Sequence, residues 1–415
     1  MSRFFSDLGF SRSFRIRTDD GTPKMGENAG MKLLAKSFPP FRTFCPIWIC
    51  LGFLAFSSIL LWNCSEVLAS DPVPTIKEGT EKIESYKSRF GRKRPVIAVI
   101  GENEYTELTD FLVPYGILKQ AEIADVHALS TNPGPIRFFP ALVLETGETL
   151  SYFDSKYPEG ADYVVVPAMH NSENPVVSSW LKSQASKGAT VIGICDGVWI
   201  LAHSGLLQEK AATGHWYSFP DLEKKFPSTK WIRNRRYVID GKIITTTGVT
   251  ASIPVSLALV EAIVGKEKAL SIASKFGASG WDRNHKSEDF HLGSDSIWTV
   301  VKNTLSFWSH EEIPIIVSEN ADEVSLALVA DAYSRTYRSA AISVSENKKQ
   351  IRTKGGLILH PDKDRKDLDP SETALEYYNS IPANKSLDRA LLEIAERFGK
   401  TTAAFVALQI EYAWR

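Results

Sequence analysis

Cys195 is the residue of this chain whose type and setting most directly imply chemistry. Ala189-Thr190-Val191-Ile192, an apolar run of strand type, leads into Gly193-Ile194-Cys195-Asp196-Gly197, and Val198-Trp199-Ile200-Leu201-Ala202 then supplies the apolar face of a helix. The pattern is a strand-to-helix elbow, with glycines on both sides that allow a tight turn and close backbone approach. A sulfur placed there stands at a helix N-terminus, whose N–H groups and dipole favour thiolate over thiol, so the Cys195 pKa is expected to fall. The competing reading is a small buried hydrophobe without chemistry.

Positioning that sulfur requires a sheet, and the chain supplies its parts in alternation. Strands are expected at 96–100, 125–129, 141–144, 163–166, 189–192 and 242–246, with helices at 109–120, 175–187 and 251–264. Short Val/Ile-rich strands separated by amphipathic helices predict a three-layer, doubly wound, mostly parallel α/β fold. Ligands of such sheets bind at the C-terminal strand ends, here marked by Gly101, Pro167 and Gly193. Residues 266–312, with Trp281, Trp298 and Trp308, read as a bridging region of helices and loops. A second α/β series fills 313–415: a strand at 313–319, a helix at 322–334, a strand at 341–345, an apolar run at 356–359, and helices near 372–379 and 387–397. Its order echoes 96–144, which suggests a truncated, degenerate repeat with no elbow and no cysteine.

The 415 residues carry 48 basic and 49 acidic side chains and are 43% apolar, so the chain is a folded protein whose charge balance points to no nucleic acid. Cys45, Cys50 and Cys64 lie in or beside 44–62, a charge-free apolar stretch long enough to span a bilayer. Basic residues dominate the tail at 1–43, which lacks any apolar period and is expected to be disordered. That asymmetry predicts a single-pass membrane helix or signal segment with the folded part outside the cytoplasm, or export after cleavage near Ala69. Residues 71–94 read as a Lys/Glu-rich linker with room for one short helix, and the folded unit begins at 95.

Several runs between 193 and 265 resemble one family. They are Cys195-Asp196-Gly197, Leu201-Ala202-His203-Ser204-Gly205-Leu206-Leu207, Ala212-Thr213-Gly214-His215-Trp216, Tyr237 to Thr245, and Gly248-Val249-Thr250-Ala251. In order and spacing they are similar to the ThiJ/PfpI family of the class I glutamine amidotransferase-like superfamily, in the branch of AraC-type regulator sensor domains and isocyanide hydratase. The resemblance covers about 95–265 and implies a flavodoxin-like domain with Cys195 as nucleophile. It further implies an acidic residue that shares a proton with the sulfur, and Asp110-Phe111-Leu112-Val113-Pro114 fits that branch's pattern. Glu104 and Glu107 are the alternatives. A carboxyl beside a thiolate is pushed toward its protonated form and can act as a general acid.

Two departures stand out. Where the family has Pro-Gly-Gly to build an oxyanion site, this chain has Pro167-Ala168-Met169-His170, so the pocket formed by Ala168, Ile194, Asp196 and Gly197 is expected to be reshaped. Asp196, in place of the usual Thr or His, opposes thiolate formation unless it points away. His170 could reach the sulfur as a base or cap a loop, His203 belongs on a helix surface, and His215 is expected to be structural or pocket-lining. His285, His291 and His310 lack ligand spacing, so no metal or cofactor is expected.

Three functions compete. One is a cysteine hydrolase, hydratase or amidase on a small substrate: Cys195 attacks an electrophilic carbon, Asp110 manages the proton, and backbone N–H groups near Ala168 and 194–196 hold the charge. Another, favoured here, is a sensor-like or divergent catalytic domain that holds a small molecule or lets the cysteine oxidise reversibly. The last is a regulator relative that has lost its helix-turn-helix, because the helix after Lys400 is apolar and acidic and offers little to DNA. Relatives in this superfamily are often dimers, so a homodimer is also an expectation.

Overall fold

The computed structural model describes residues 82–369 and 373–414. The expected membrane or signal helix at 44–62, the tail at 1–43 and the cleavage site lie outside them; among the described residues no helix is long and apolar enough to cross a membrane. Residues 82–94 form no helix. Arg89 and Arg92 instead bind this stretch to the N-terminal ends of two interior strands of the main sheet through Gly188 O and Asp162.

The chain then runs β1 (Val96–Gly101), β2 (Glu104–Glu107), α1 (Leu108–Ala121), β3 (Asp125–Ser130), β4 (Ile136–Phe139), β5 (Val143–Glu145), β6 (Glu148–Thr149), α2 (Leu150–Lys156), β7 (Tyr163–Val166), α3 (Pro175–Ser186), β8 (Thr190–Gly193) and α4 (Gly197–His203). Next come β9 (Ala211–Ala212), α5 (Phe219–Lys225), β10 (Lys230–Trp231), β11 (Tyr237–Asp240), β12 (Ile243–Thr246), α6 (Ser252–Val264), α7 (Lys266–Phe276) and α8 (Ser294–Leu305). The last stretch holds β13 (Glu311–Ile316), α9 (Glu323–Ser334), β14 (Ser339–Ser345), β15 (Ile351–Arg352), β16 (Ile358–Leu359), β17 (Lys363–Asp364), α10 (Ala383–Phe398) and α11 (Lys400–Gln409). The strand expected at 141–144 is β5, shifted to Val143–Glu145, and β4 just before it is unexpected; a cis Phe139–Pro140 bond lies between the two. Of the helix expected at 372–379, the described part is a single 3₁₀ turn at Tyr377–Asn379.

The main sheet has the order β11-β12-β8-β7-β1-β3-β6 and is parallel except for the β11–β12 hairpin. It is the doubly wound, flavodoxin-like α/β arrangement. Its central strands are apolar along their whole length because both faces are covered: Val96–Gly101 is buried at every position. Phe111, Leu112, Ile253 and Leu257 pack on one face, and Phe153, Trp180 and Leu201 on the other. Parallel order brings the C-terminal ends of β1, β7 and β8 side by side, and the cysteine elbow leaves from one of them.

A five-stranded sheet, β15-β16-β5-β4-β2, draws strands from both the early and the late parts of the chain. Beside it α1 is buried along almost its entire length, between the main sheet and α9. Gly116 makes that crossing possible, since a Cβ there would lie 2.4 Å from Val324 Cγ2. An exposed helical Gly→Ala change stabilises by up to about 1 kcal/mol. At this crossing the sign reverses: Gly116→Ala is expected to destabilise by roughly 1–3 kcal/mol through overpacking, read as a lowered denaturant midpoint with an unchanged slope.

Candidate functional site

Cys195 sits between β8 and α4 with φ +53°, a left-handed conformation that a non-glycine residue adopts only where the surrounding turn enforces it. Three contacts enforce it. The Cys195 N–H donates to Thr246 Oγ1 on the adjacent β12 (3.0 Å), and the Gly197 N–H donates to Ile194 O (2.7 Å). A Cβ on Gly197 would come within 2.2 Å of Val166 O, so only glycine lets α4 start this close to the end of β7.

Asp110 lies in the first turn of α1 and is fully buried (0% exposed). Its Oδ2 accepts the Ala168 N–H at 3.2 Å, while Oδ1 is buried and has no protein partner. Burial, the neighbouring Glu107 carboxylate and Asp196 hold the Asp110 carboxyl well above its ordinary range, against the pull of the Ala168 N–H and Arg335. The shift favours the protonated form, and the unpartnered Oδ1 can share that proton.

Glu107, an alternative to Asp110 in the sequence, is a second member of the site. It caps α1, accepting from the Asp110 N–H (2.6 Å) and the Thr109 hydroxyl, and its Oε1 accepts from Arg335 Nη2 (2.6 Å). Burial and Asp331 push its carboxyl up to about 7, with Arg335 working against them. Glu104, the other alternative, is exposed and faces Arg137.

The thiol itself departs from expectation. Cys195 is 6% exposed, and burial, followed by Asp110, Asp196, Glu107 and Glu411, pushes its pKa well up rather than down. Desolvation in a site ringed by carboxylates outweighs the partial charge at the start of a seven-residue helix. Asp196 contributes to this and does not cap α4; its Oδ1 is buried without a partner.

The expected oxyanion donors are largely engaged. Ala168 N–H is held by Asp110, Ile194 N–H by Val166 O at 2.9 Å, and Cys195 N–H by Thr246. His170 is exposed, stacked on Tyr105 and tilted against Phe139, with ring centroids 5.1 and 5.0 Å away. His215 is buried: its Nδ1 accepts from the Tyr217 N–H, which leaves Nε2 to donate to Gln409 O at 3.1 Å, so it ties the site to the C-terminal helix. His203 bonds to Ser172 O and Lys225 beside α4. Among the described residues no cluster of His, Cys, Asp or Glu could hold a metal.

Residue types near Cys195 in the sequence do not reveal the rest. Thr246, Arg335 and Glu411 reach the site from 51 to 216 positions away; Arg335 is buried between Glu107 and Asp331, and Glu411 accepts the Gly248 and Trp216 N–H groups. The Asp331/Arg335 spacing on one helix was the only available signal, and it marks an ordinary helical ion pair just as well.

The DJ-1/PfpI family profile matches residues 96–262. The chain is similar to the HTH-type transcriptional regulator CdhR of Pseudomonas aeruginosa (27% identical; 38% of this chain, 46% of the regulator) and to isonitrile hydratase of Pseudomonas putida (30% identical; 39% and 68%). It thus spans under half the length of the regulator and about two thirds of the hydratase. Drosophila melanogaster DJ-1beta, in crystal form, overlays with a TM-score of 0.40 at 23% identity, covering 45% of this chain and 99% of that one. With the profile matched across the elbow, and the hydratase matched over most of its length, the chain belongs to the DJ-1/PfpI family.

Proposed function

We propose that this chain is a sensing member of its family, in which Cys195 holds or reacts with one small molecule or oxidant and Asp110 is its proton partner. A single observation carries the reading: three N–H groups that a hydrolase would aim at an oxyanion, those of Ala168, Ile194 and Cys195, are engaged inside the protein, while Asp110 keeps a buried oxygen unpartnered. With a hydroperoxide as oxidant, Sγ attacks one peroxide oxygen and the O–O bond breaks. The sulfur is oxidised to a sulfenic acid, and water or an alcohol leaves with the proton that Asp110 relays. The protonated carboxyl then donates to the new sulfur-bound oxygen. Burial of Thr402, Ala403, Phe405 and Val406 on α11 supports a role without DNA.

A cysteine hydratase is the second reading, supported by the similarity to isonitrile hydratase and by the Asp196 N–H, for which no protein acceptor exists among the described residues. We also propose that 44–62 tethers the folded unit outside the cytoplasm, on the strength of its charge-free length and basic upstream flank.

Peroxide titration of the full-length protein with peptide-resolved mass spectrometry tests the first reading. Oxygen addition at Cys195 is expected, several-fold slower in Asp110→Asn. An inert Cys195, or Cys195-dependent hydration of an isonitrile, would replace sensing by packing or by catalysis respectively.

The buried carboxyls make a separate prediction. Asp110 and Glu107 bind protons more tightly folded than unfolded, so the stability they contribute is complete below their ordinary range. It is lost as pH rises through their elevated folded values, near 7 for Glu107. The unfolding midpoint should fall between about pH 5 and 7.5, and Asp110→Asn should flatten that slope.

A further inference from the structure

The late strands repeat the early ones at a constant spacing. Thr106 pairs with Phe138 in parallel, and Ala321 with Thr353; Ile136 faces Leu144, and Ile351 faces Leu359; Leu129 pairs with Glu148, and Val344 with Lys363. Every residue of the second pair stands 215 positions after its counterpart in the first. The helix caps obey the same spacing: Glu107 caps α1 and Asp322 caps α9. The strand and elbow region from β7 to β12 has no counterpart. A helix pair then closes each series, α6–α7 against α1 and α10, with α11 packed on it, against α9, each pair joined at a glycine of similar conformation, Gly265 (φ 94°) and Gly399 (φ 96°).

The two series are related by a local two-fold axis. Strands β5 and β16 pair antiparallel with Leu144 opposite Leu359, a residue opposite its own counterpart. Across α1 and α9 the contacts are reciprocal, as in a symmetric dimer. Gln120 of α1 reaches the cap of α9, with its Nε2 3.5 Å from Asp322 Oδ2 and 3.2 Å from Glu323 Oε1. Arg335, the counterpart of Gln120, reaches the cap of α1 at Glu107. Symmetry ends with the chemistry, because Ser325 stands where α1 has Asp110, and the elbow cysteine has no equivalent.

We infer that residues 311–410 are a shortened internal copy that takes the place of a second subunit, and that Arg335 is the positioning residue this copy lends to the cysteine site, fixing the Glu107 carboxylate that caps the Asp110 helix. The inference rests on the reading of Cys195 and Asp110 as the working pair. Arg335 is 6% exposed, held by Asp331 on its own helix and by Glu107 across the axis. Its positive charge and the Cys195 thiolate favour each other, whereas Asp110, Asp196, Glu107 and Glu411 push the thiol up.

The test uses the full-length chain and four variants: Arg335→Met, Arg335→Lys, Glu107→Gln and Gln120→Ala. Peptide-resolved iodoacetamide alkylation of Cys195 across pH reads the thiol. Arg335→Met should move the profile up by about one pH unit, roughly tenfold slower at a fixed pH below the midpoint. Arg335→Lys should recover most of that loss, Glu107→Gln should move the profile down, and Gln120→Ala, the symmetry-related change, should leave it in place. Unfolding midpoints of Arg335→Met, Glu107→Gln and the double variant read the link without any need for a reactive sulfur: the loss in Arg335→Met should be largely regained in the double variant. Additive losses, or an equal shift in Gln120→Ala, would overturn the inference. A Cys195 that is unreactive in every variant, together with a non-additive cycle, would leave the role of Arg335 standing and remove the reading of Cys195.

Discussion

A guanidinium buried between two carboxylates is the constraint on which the rest of this molecule depends. Arg335 cannot be left without partners in a dry interior, and neither can Glu107 or Asp331; deleting one member of such a group typically costs about 3–5 kcal/mol. Because Glu107 belongs to the early part of the chain and the other two to the late part, the cost of separating those charges holds α1 and α9 in one arrangement. Glu107 in turn caps the helix that carries Asp110, and Asp110 takes up the Ala168 N–H beside the elbow. The chain of contacts runs from the C-terminal part to Ala168, two residues past the end of β7, the strand next to β8.

The C-terminal part holds the elbow from a second direction as well. Glu411 accepts N–H groups from Gly248 and Trp216, and a Cβ on Gly248 would lie 2.8 Å from the Glu411 side chain. His215 donates to Gln409 O, and Gln409 donates to Arg335 O at 2.9 Å. Positions that a family pattern alone would assign to a ligand pocket are thus occupied by the protein's own tail. This is why the site is closed and why the thiol is pushed up: the groups around Cys195 are mostly anionic, and the water that would screen them is excluded.

Much of the fold was legible because each element announces itself locally. The buried strands at 96–101, 163–166 and 190–193 are apolar at successive positions, and α6 and α9 are long runs buried on nearly every side, as helices packed between other elements are. Local pattern failed where backbone geometry was set from afar. Strand β4 at 136–139 forms by pairing with β2 and β5, and residues 82–94 are held by arginine contacts rather than by helix formation. The candidate site divides the same way. Cys195 with Gly193 and Gly197, and Asp110 in the first turn of α1, can be picked out by spacing, since a tight elbow and a helix start both have short-range requirements.

By itself, then, the order of residues determined that a parallel sheet forms, that an elbow with a cysteine ends one of its strands, and that a second, cysteine-free α/β series follows. Only the tertiary structure decided the electrostatics of the sulfur. Charge interactions depend on distance in space and on the exclusion of water, and here burial acts first, with Asp110, Glu107 and Glu411 brought in from 85, 88 and 216 positions away. Sequence spacing carries no information about such encounters, so the downward shift expected at a helix N-terminus gave way to the upward shift imposed by burial among carboxylates.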